Sequence, residues 1–534
     1  MMGRILGILI SIFVLTLSTN FTQADADSLA PPSIQITVNT ETDELLATGG
    51  TGCSVREAIY SMNNGTDYGG CVRTGSTGRL TVRIPGGEYS LTQYGAGEDE
   101  GLTGDLDILT GMDIVGDGID ITSISGNYMY RVFDVLAGDL VTVTISDLSI
   151  YNGNSGSEPG GAIRNNSNLY LTTVWLIYNQ SDTSGGAIYH KSGLAPASPP
   201  AQPGNALDVI NAPAVTAVLT LTDSWILHNT AAVYGGGIIN DVGSGMVINN
   251  TIIRFNKAEN AGCGGMYNLS EKPVTLDYVD ISSNYATGVG GFGGGLCSAN
   301  AMTSDITIRD SSFDGNNATM YGGNILHSGN GNLTLIRSEV SYGSAAVGAG
   351  IYADANTVLE NVTVSHNTAT DRGGGLDVSS LGQVYASYVS IVDNIAPSGA
   401  GIYSSNNMAL VNSIIARNRT VAGVLANCLG APDHITSQDY NLTDGPVCGM
   451  PLMVHDMTYT DPRLGAYGYH GSLNNTNTYA LQYHSPAIDA GYPGLCPALD
   501  QRGISRPFPV GGFCDIGAFE SNFDWWGFLP LIKK

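Results

Sequence analysis

The sequence predicts an all-β fold: a single-stranded, right-handed parallel β-helix, or solenoid, with N- and C-terminal capping regions. Three observations predict it. A glycine-rich motif recurs at near-constant spacing, an asparagine recurs at a second fixed place in each unit, and the residues between them alternate between apolar and polar. A repeat of two or three short strands cannot bury its apolar face alone, so neighbouring repeats are expected to stack into a rod.

The recurring motif places glycines shortly before an apolar residue, as in GGGIIN at 235–240. Glycine supplies the positive φ and the absent Cβ that stacked corners require, and the apolar residue that follows is expected to point inward. Most steps between copies are 25 to 29 residues, and one step of 50 holds a Pro-, Ala- and Gly-rich loop insertion at 191–217. The nine copies begin at residues 160, 185, 235, 264, 293, 322, 348, 373 and 399.

An asparagine that follows an apolar stretch and a polar pair is the second recurring feature. Its amide can hydrogen-bond to the identical amide one coil away, which predicts an asparagine ladder along the rod. One repeat departs from the rule, with Gly343 at this place. The predicted ladder residues are Asn152, Asn179, Asn229, Asn256, Asn284, Asn316, Asn367, Asn394 and Asn418.

Between the glycines and the asparagines, stretches such as LTLTDSWI and VTLDYVDI follow the two-residue period of β-strands and are rich in Val, Ile, Thr and Tyr. Coils of a parallel β-helix stack about 4.8 Å apart, so nine marked coils predict roughly 45 Å of rod before the end regions are added.

Five segments make up the predicted organisation. Residues 1–26 contain Arg4, an apolar run of 13 residues and small residues at the expected cleavage site, a pattern that is typical of a secretory signal peptide. The alternative is a membrane anchor, although 13 apolar residues are too few to span a bilayer. The mature chain is expected to have no transmembrane segment and to be secreted or held at the cell surface. The remaining segments are an N-terminal region with the first coils at 27–130, the repeats at 131–425, a C-terminal module at 426–520 and an apolar and basic tail at 521–534.

The formal net charge of −26 argues against binding to nucleic acid or to an anionic membrane through bulk charge. Five aspartates fall within residues 104–120. Their spacing does not match a calcium-loop motif, so solubility is the favoured explanation and no cofactor is predicted, with calcium kept as the alternative.

Eight cysteines, an even number in a chain expected to enter an oxidising compartment, predict four disulfides. Eight cysteines allow 105 pairings. Proximity and repeat register favour Cys53 with Cys71, Cys263 with Cys297, Cys428 with Cys448, and Cys496 with Cys514.

Three stretches resemble known families of secreted proteins. CSVREAIYSMNNG from Cys53 is similar to the CSLREA motif that opens many secreted bacterial β-helix proteins. The repeats, with GGAI at 160 and FDGN at 313, resemble those of chlamydial polymorphic outer-membrane proteins. Residues 485–520 resemble the choice-of-anchor Q module that follows such helices. Together these resemblances imply a secreted or surface-displayed right-handed β-helix, and they imply no reaction.

The chlamydial proteins end in a membrane barrel, whereas residues 421–534 here are broken by Pro, Gly and Cys and offer no series of ten-residue alternating strands. The tail WWGFLPLIKK is either a sorting or anchoring segment, as the name of the module suggests, or a strand that covers the last coil.

Charged residues are few between each ladder asparagine and the next glycine corner, and their sign changes from coil to coil. Asp371 and Arg372 are the best isolated acid and base pair, but neighbouring coils add nothing to complete a site. His228 and His366 hold the same repeat position several coils apart and are interpreted as surface strand residues.

Tyrosines recur on the outward side of the strand after the glycine corner, at Tyr189, Tyr352 and Tyr403, with Tyr267 near the same edge. They are candidates for stacking on sugar rings, although tyrosine is also a common strand residue. We therefore expect a monomeric, noncatalytic rod that acts as an adhesin or surface scaffold and binds extracellular polysaccharide or other surface components. The alternative is a polysaccharide lyase or glycoside hydrolase, which would require carboxylates, alone or with Lys or Arg, to converge in one groove.

Overall fold

A computed structural model describes residues 33–522, apart from 49, 51, 96, 194–215, 301–302, 432, 447 and 449–450. The predicted signal peptide, most of the loop insertion 191–217 and nearly all of the tail 521–534 lie outside the described residues. The chain winds into a parallel β-helix, as the sequence predicts, and one sheet contains twelve strands from successive coils. No helix in the described part of the chain is long and apolar enough to cross a membrane.

Most coils contain three or four strands, and stacking of the coils lines these strands up in four rows. The first and second rows form one large sheet, because the strands Thr142–Tyr151 and Asn168–Ile177 run through both. The other first-row strands are Ser33–Thr37, Arg79–Ile84, Met112–Gly116, Val218–Thr222, Gly245–Asn249, Val274–Asp277, Ile306–Arg309, Leu333–Ile336, Asn356–Glu360, Gln383–Ser387, Met408–Val411 and Ile435–Ser437. The other second-row strands are Gly87–Ser90, Thr122–Ser125, Trp225–Leu227, Ile252–Arg254, Asp280–Ser282, Ser312–Asp314, Glu339–Ser341, Thr363–Ser365, Ser390–Val392, Ile414–Ala416 and Leu442–Thr443.

The third and fourth rows close each coil and form separate parallel sheets. The third-row strands are Gln180–Ser181, Thr230–Ala231, Lys257–Ala258, Tyr285–Ala286, Asn317–Ala318, Ser344–Val347 and Thr368–Arg372. The fourth-row strands, which follow the glycine corners, are Leu106–Ile108, Phe133–Val135, Ile163–Asn165, Ile188–His190, Ile238–Asn240, Met266–Asn268, Leu296–Asn300, Ile325–Gly329, Ile351–Ala353, Leu376–Val378, Ile402–Ser404 and Cys428–Gly430.

Apolar side chains from these rows fill the centre of the rod. The residue after each glycine corner, such as Ile188, Ile238 or Leu376, is fully buried or nearly so. It packs with alternate residues of the first and second rows, such as Leu221 and Ile226, in one continuous core. The two-residue alternation read from the sequence therefore separates this core from the outer faces.

The consecutive glycines at a corner serve different purposes, as residues 235–237 illustrate. Gly235 has φ 61°, a left-handed conformation that glycine adopts without strain. A Cβ on Gly236 would collide with the backbone of the next coil at Lys257 and Gly264. Gly237 packs on the amide of Asn256. The motif thus combines a turn, a close approach of two coils and a contact with the asparagine ladder.

Asparagine amides form an unbroken hydrogen-bonded row between the second and third strand rows. Asn229 Nδ2 donates to Asn256 Oδ1 at 2.9 Å, and Asn229 backbone N donates to the same oxygen at 3.0 Å. The same pattern joins Asn179, Asn229, Asn256, Asn284 and Asn316, and later Asn367, Asn394 and Asn418. Each amide therefore forms hydrogen bonds with side-chain and backbone groups of the neighbouring coils.

Two features of this row differ from the sequence prediction. Asn152 is wrongly assigned to it: register places Asn152 opposite Tyr178, and Gly153 donates its N–H to Asn179 Oδ1 at 2.8 Å. The repeat with Gly343 is completed by Asn324, which comes from a glycine corner and links Asn316 to Asn367 at 2.8 and 3.0 Å. The residue directly before each ladder asparagine other than Asn324 adopts the left-handed conformation, as His228 does at φ 55°.

A helix, Val55–Asn64, packs against the first coils. Ser54 and Glu57 form a capping box at its start, which explains two residues of the CSVREA stretch. Arg56 is buried, forms an ion pair with Asp43, and donates to the carbonyls of Gly104 and Asp105. The helix therefore anchors the loop that precedes the fourth-row strand Leu106–Ile108.

All four favoured cysteine pairs are disulfide-bonded. Cys263 and Cys297, with Cα atoms 5.5 Å apart, join neighbouring coils. The Cys53–Cys71 disulfide ties the helix to the loop that follows it. The remaining pairs, Cys428–Cys448 and Cys496–Cys514, lie in the C-terminal segment.

The C-terminal module first supplies the last coil, with the strands Cys428–Gly430, Ile435–Ser437 and Leu442–Thr443, and then folds back along the side of the rod. Its antiparallel hairpin, Leu464–Tyr469 and Asn477–Leu481, and a short 3-10 helix, Pro493–Leu495, lie beyond the last coil in sequence. Asn477 N donates to Glu339 Oε2 at 2.7 Å, and Ala518 N donates to Ser390 Oγ at 3.1 Å. The module thus covers the second row over the coils that follow Asp314 and leaves the earlier coils of that row open.

Candidate functional site

The tyrosines proposed for sugar stacking lie in register on the outer face of the fourth row, but much of that face is covered. Tyr267 is only 7% exposed and packs against Tyr234 and Phe292. Tyr352 packs against Tyr321, with ring centroids 4.8 Å apart.

Polar contacts occupy the other two tyrosines of this set. The Tyr189 hydroxyl donates to Asp241, and the Arg372 guanidinium lies 5.0 Å from the centre of the Tyr403 ring. The covering rings come from residues directly before glycine corners, namely Tyr234, Phe292 and Tyr321. Tyr267 in particular cannot stack on a sugar from solvent, because rings from adjacent loops shield it.

In the predicted acid and base pair of Asp371 and Arg372, the arginine binds a different carboxyl group more closely. Arg372 Nε donates to Asp377 Oδ2 at 2.9 Å, and its contact with Asp371 is longer, at 3.4 Å. Burial raises the pKa of Asp377 to about 6, while Arg372 acts to lower it. The arginine therefore supports a buried carboxyl group.

Aromatic rings from successive coils stack on one another along the second row and at the corner that follows it, in the coils that the module leaves open. Trp175 and Trp225 stack in parallel with ring centroids 4.7 Å apart. One residue beyond the strand, in the left-handed corner before the asparagine ladder, Tyr178, His228 and Phe255 stack at 5.1 and 4.9 Å. Tyr178 is 56% exposed and Phe255 is 41% exposed. We call this row of corner residues the ring row.

Small residues interrupt the ring row after Phe255. Strand register places Ser283 in the next coil, Gly315 in the one after, and Tyr342 in the third. Three coil steps amount to about 14 Å along the rod. The side chains at these two positions fill little of the space between Phe255 and Tyr342, and we call this opening the slot.

A polar cleft of about 330 Å³ lies beside the slot, because its lining includes Arg254 and Asp314, the residues directly before Phe255 and Gly315. Rod and module both contribute to it. The rod supplies second-row and corner residues, and the module supplies three asparagines that stand at its edge. The polar side chains that line it are Asn250, Thr251, Arg254, Asp280, Asp310, Ser312, Asp314, Asn474, Asn475 and Asn477.

Most charges in this cleft are paired. Arg254 forms an ion pair with Asp280, and Arg337 forms one with Asp310. Asp314 accepts from Ser341 Oγ at 2.9 Å. Burial raises the pKa of Asp314, and the negative charge of Asp280 adds to that shift. The cleft therefore offers amides, hydroxyls and a carboxyl group that gains a proton more readily than usual.

A second cleft, of about 230 Å³, lies near the N-terminal end on the outer face of the fourth row. Asp107, Asp134 and Arg164 occupy the same outward position in three successive coils. Arg131 Nη1 donates to Asp105 and to Asp134, each at 2.9 Å. Burial raises the pKa of both Asp105 and Asp107. We call this the acidic cleft.

Both clefts bring carboxylates together with arginine. The sequence prediction did not include these groupings, because it covered charged residues only between each ladder asparagine and the next glycine corner. Asp280 and Asp314 lie on adjacent second-row strands but are 34 residues apart in sequence. Asp107 and Asp134 are 27 residues apart. Comparing outward strand positions at the repeat period could have found these pairs, whereas a search for linear motifs could not.

No family model matches the chain, and no curated protein matches it. Among solved structures, the A-module of the mannuronan C-5 epimerase from Azotobacter vinelandii matches with a TM-score of 0.38 and 15% sequence identity. The match covers 76% of this chain and 98% of that one. A likeness of this size assigns no activity to the chain.

Proposed function

We propose that this protein is an extracytoplasmic, noncatalytic β-helix that binds a neutral polysaccharide in the slot, as a surface scaffold or adhesin. The observation that carries the proposal is the interruption of the ring row by Ser283 and Gly315, next to a polar cleft. Because the rings of Phe255 and Tyr342 lie about 14 Å apart, a short stretch of the polymer that enters the slot can place one sugar on each ring.

The side chains around the slot suit carbohydrate. Pyranose rings present apolar C–H faces, which pack on aromatic rings, and hydroxyl groups, which need hydrogen-bond partners when they leave water. Asn475 and Asn477 supply amide groups and Ser312 supplies a hydroxyl, whereas the amide of Asn474 is already bonded to Asp310 and Thr476. Few, well-placed polar groups beside apolar surface are typical of ligand sites.

Charge favours a neutral polymer over a polyuronate. Arg254, the arginine that lines the cleft, is already paired with Asp280, and Asp314 adds a further carboxyl group. The chain as a whole carries a formal charge of −26. A carboxylate on each sugar would meet a surface of its own sign.

Four disulfides support the extracytoplasmic location, since such bonds persist in oxidising compartments and are rare in the cytosol. Proteins outside the cytoplasm also meet the polysaccharides that a binding slot of this kind would serve.

The test fills the slot. In Ser283→Tyr, a ring is added at a corner whose φ of 52° matches those of His228 and Phe255 in neighbouring coils, so the backbone accepts a large side chain there. We expect the variant to fold and to lose binding to neutral oligosaccharides such as cello- and chito-oligomers, measured by calorimetry. Ser283→Ala, the matched control, should bind like the unmodified protein.

Two results would contradict the proposal. One is equal binding by Ser283→Tyr and Ser283→Ala at equal thermal stability. The other is failure of the unmodified protein to bind any neutral glycan in an array that also contains polyuronates.

A second candidate function is hydrolysis of the same polymer, because two carboxyl groups with different environments line one cleft. Asp314, with its raised pKa, would protonate the leaving oxygen, and Asp280 would take the proton from the attacking water. The noncatalytic proposal would be wrong if the unmodified protein released reducing ends from the polymer and Asp314→Asn bound the polymer without releasing them. Binding without release would support the first.

A further inference from the structure

Asp107 lies beneath the acidic cleft, next to Asp134 on the neighbouring strand, and is a fully buried carboxylate whose charge is not balanced by an ion pair. Its relative exposure is 0%. Its Oδ2 accepts from Gly101 N at 2.6 Å, and its Oδ1 has no hydrogen-bond partner. In the described part of the chain no arginine, lysine or histidine forms an ion pair with it. A buried carboxylate in this state is costly unless something else compensates it.

Two further carboxylates converge on Asp107. Oxygen atoms of Asp99, Asp107 and Asp134 all lie within 4.8 Å of one another. Asp134 is held by Arg131 and Arg164, and Asp99 lies 3.5 Å from Arg164. These arginines neutralise part of the cluster and orient Asp134, but they leave Asp107 facing two other acids.

The surrounding backbone holds the three aspartates in place. Asp107 and Asp134 project from neighbouring fourth-row strands, whose spacing is set by the stacking of the coils. The loop that carries Asp99 is tied down at Gly101 by Asp107 and at Thr103, whose N–H donates to Glu98 at 2.7 Å. Arg56 binds the carbonyls of Gly104 and Asp105 where that loop ends.

We propose that Asp99, Asp107 and Asp134 bind a divalent cation of the calcium class. The cation would compensate Asp107 and would join the loop to two coils of the rod. This site is separate from the slot, and the inference does not depend on glycan binding.

The ligand chemistry favours calcium over other divalent cations. All three ligands are carboxylate oxygens, which hard cations prefer, and no cysteine or histidine takes part. Calcium accepts six to eight oxygens in irregular geometry, whereas magnesium demands a near-ideal octahedron. The half-exposed Asp99 leaves room for water to complete the coordination.

The experiment measures calcium binding to the full mature chain, stripped of metal with a chelator, by calorimetry and by thermal melting. We expect one calcium per chain, a higher melting temperature with calcium, and weaker or absent binding of magnesium. Asp107→Asn should weaken calcium binding by about tenfold or more, since even residues that only support a ligand cost 10- to 100-fold.

Asp120→Asn is the matched control, because Asp120 is an exposed aspartate of the same aspartate-rich segment. It should bind calcium like the unmodified chain. If Asp107→Asn does not fold, Asp99→Asn serves instead, because Asp99 is half exposed. Absence of a calcium effect in the unmodified chain, or equal affinity in Asp107→Asn and Asp120→Asn, would overturn the proposal and would mean that a proton compensates Asp107.

Discussion

The second row has two halves that share one backbone geometry and differ in what lies on them. From Trp175 to Asp314 the row is open and ends in the polar cleft. From Glu339 onward the C-terminal module covers it. Both halves carry aromatic residues at the left-handed corner, Tyr178, His228 and Phe255 in the open half and Tyr342 and His366 in the covered half.

The covered half shows what the ring row accepts. Tyr467 and Tyr479 of the module lie with ring centroids 4.9 and 6.3 Å from His366. Their hydroxyls bond to Glu339 and to Ser365 and Asp393. Rings with hydroxyl groups thus cover this half, and sugar rings with hydroxyl groups are what we propose for the open half. Four predictions test the difference, from the largest expected effect to the smallest.

Tyr479→Ala should cause the largest loss of stability. Tyr479 is 1% exposed, and its removal leaves a cavity and unpaired polar groups between module and rod. Large-to-small changes of buried aromatic residues cost about 3–5 kcal/mol of unfolding free energy. Urea denaturation measures it. Tyr94→Ala, at a residue 77% exposed, should change stability by less than about 0.5 kcal/mol. Similar effects at both sites would show that the module does not depend on this contact.

Asn256→Leu and Asn367→Leu should lower the free energy of unfolding by similar amounts, because the asparagine ladder runs through the coils of the open and the covered halves alike. Each change leaves neighbouring amide and backbone groups unpaired, at about 1–3 kcal/mol. Thermal melts should show both variants destabilised and the exposed control, Asn407→Leu, unaffected. A melt unchanged by either ladder substitution would contradict a structural role for the amides.

The Trp175–Trp225 stack in the open half should contribute less. Parallel aromatic pairs add about 0.5–1.5 kcal/mol beyond the area they bury. A double-mutant cycle with Trp175→Ala and Trp225→Ala isolates that coupling, since the rings are in contact. Strictly additive losses would mean that the two rings merely lie side by side.

The smallest effect concerns the pH dependence of the covered half. Burial raises the pKa of Glu339, although hydrogen bonds from Asn477 and Tyr467 oppose the shift. Since the folded-state pKa lies above the unfolded value, this group stabilises the fold at low pH, and that contribution is lost as pH rises through the folded-state pKa. Melting temperatures of Glu339→Gln should fall less steeply over that range than those of the unmodified chain. Equal slopes would assign the pH dependence to other carboxyl groups.

The features that the sequence predicts are those that recur at the same place in successive coils. The stacked coils, the inward residue after each glycine corner, the ladder and the disulfide pairs all follow from spacing, because each coil must match its neighbour in register. Even the errors are local. The residue at the ladder position of the first repeat is Gly153, one residue after the predicted Asn152. At Gly343 the missing amide is supplied by Asn324, because the glycine corner packs beside the ladder.

Only the tertiary structure decided which outer faces meet solvent. Tyr267 is covered by loops from its own and a neighbouring coil, and the second row is covered by a module more than 100 residues away, as in the contact between Tyr467 and Glu339. Such contacts have no period and leave no spacing to read. The same holds for Asp99, which joins Asp107 and Asp134 from an irregular loop. Periodicity determines the rod, whereas its sites arise where residues outside the repeat fold onto it.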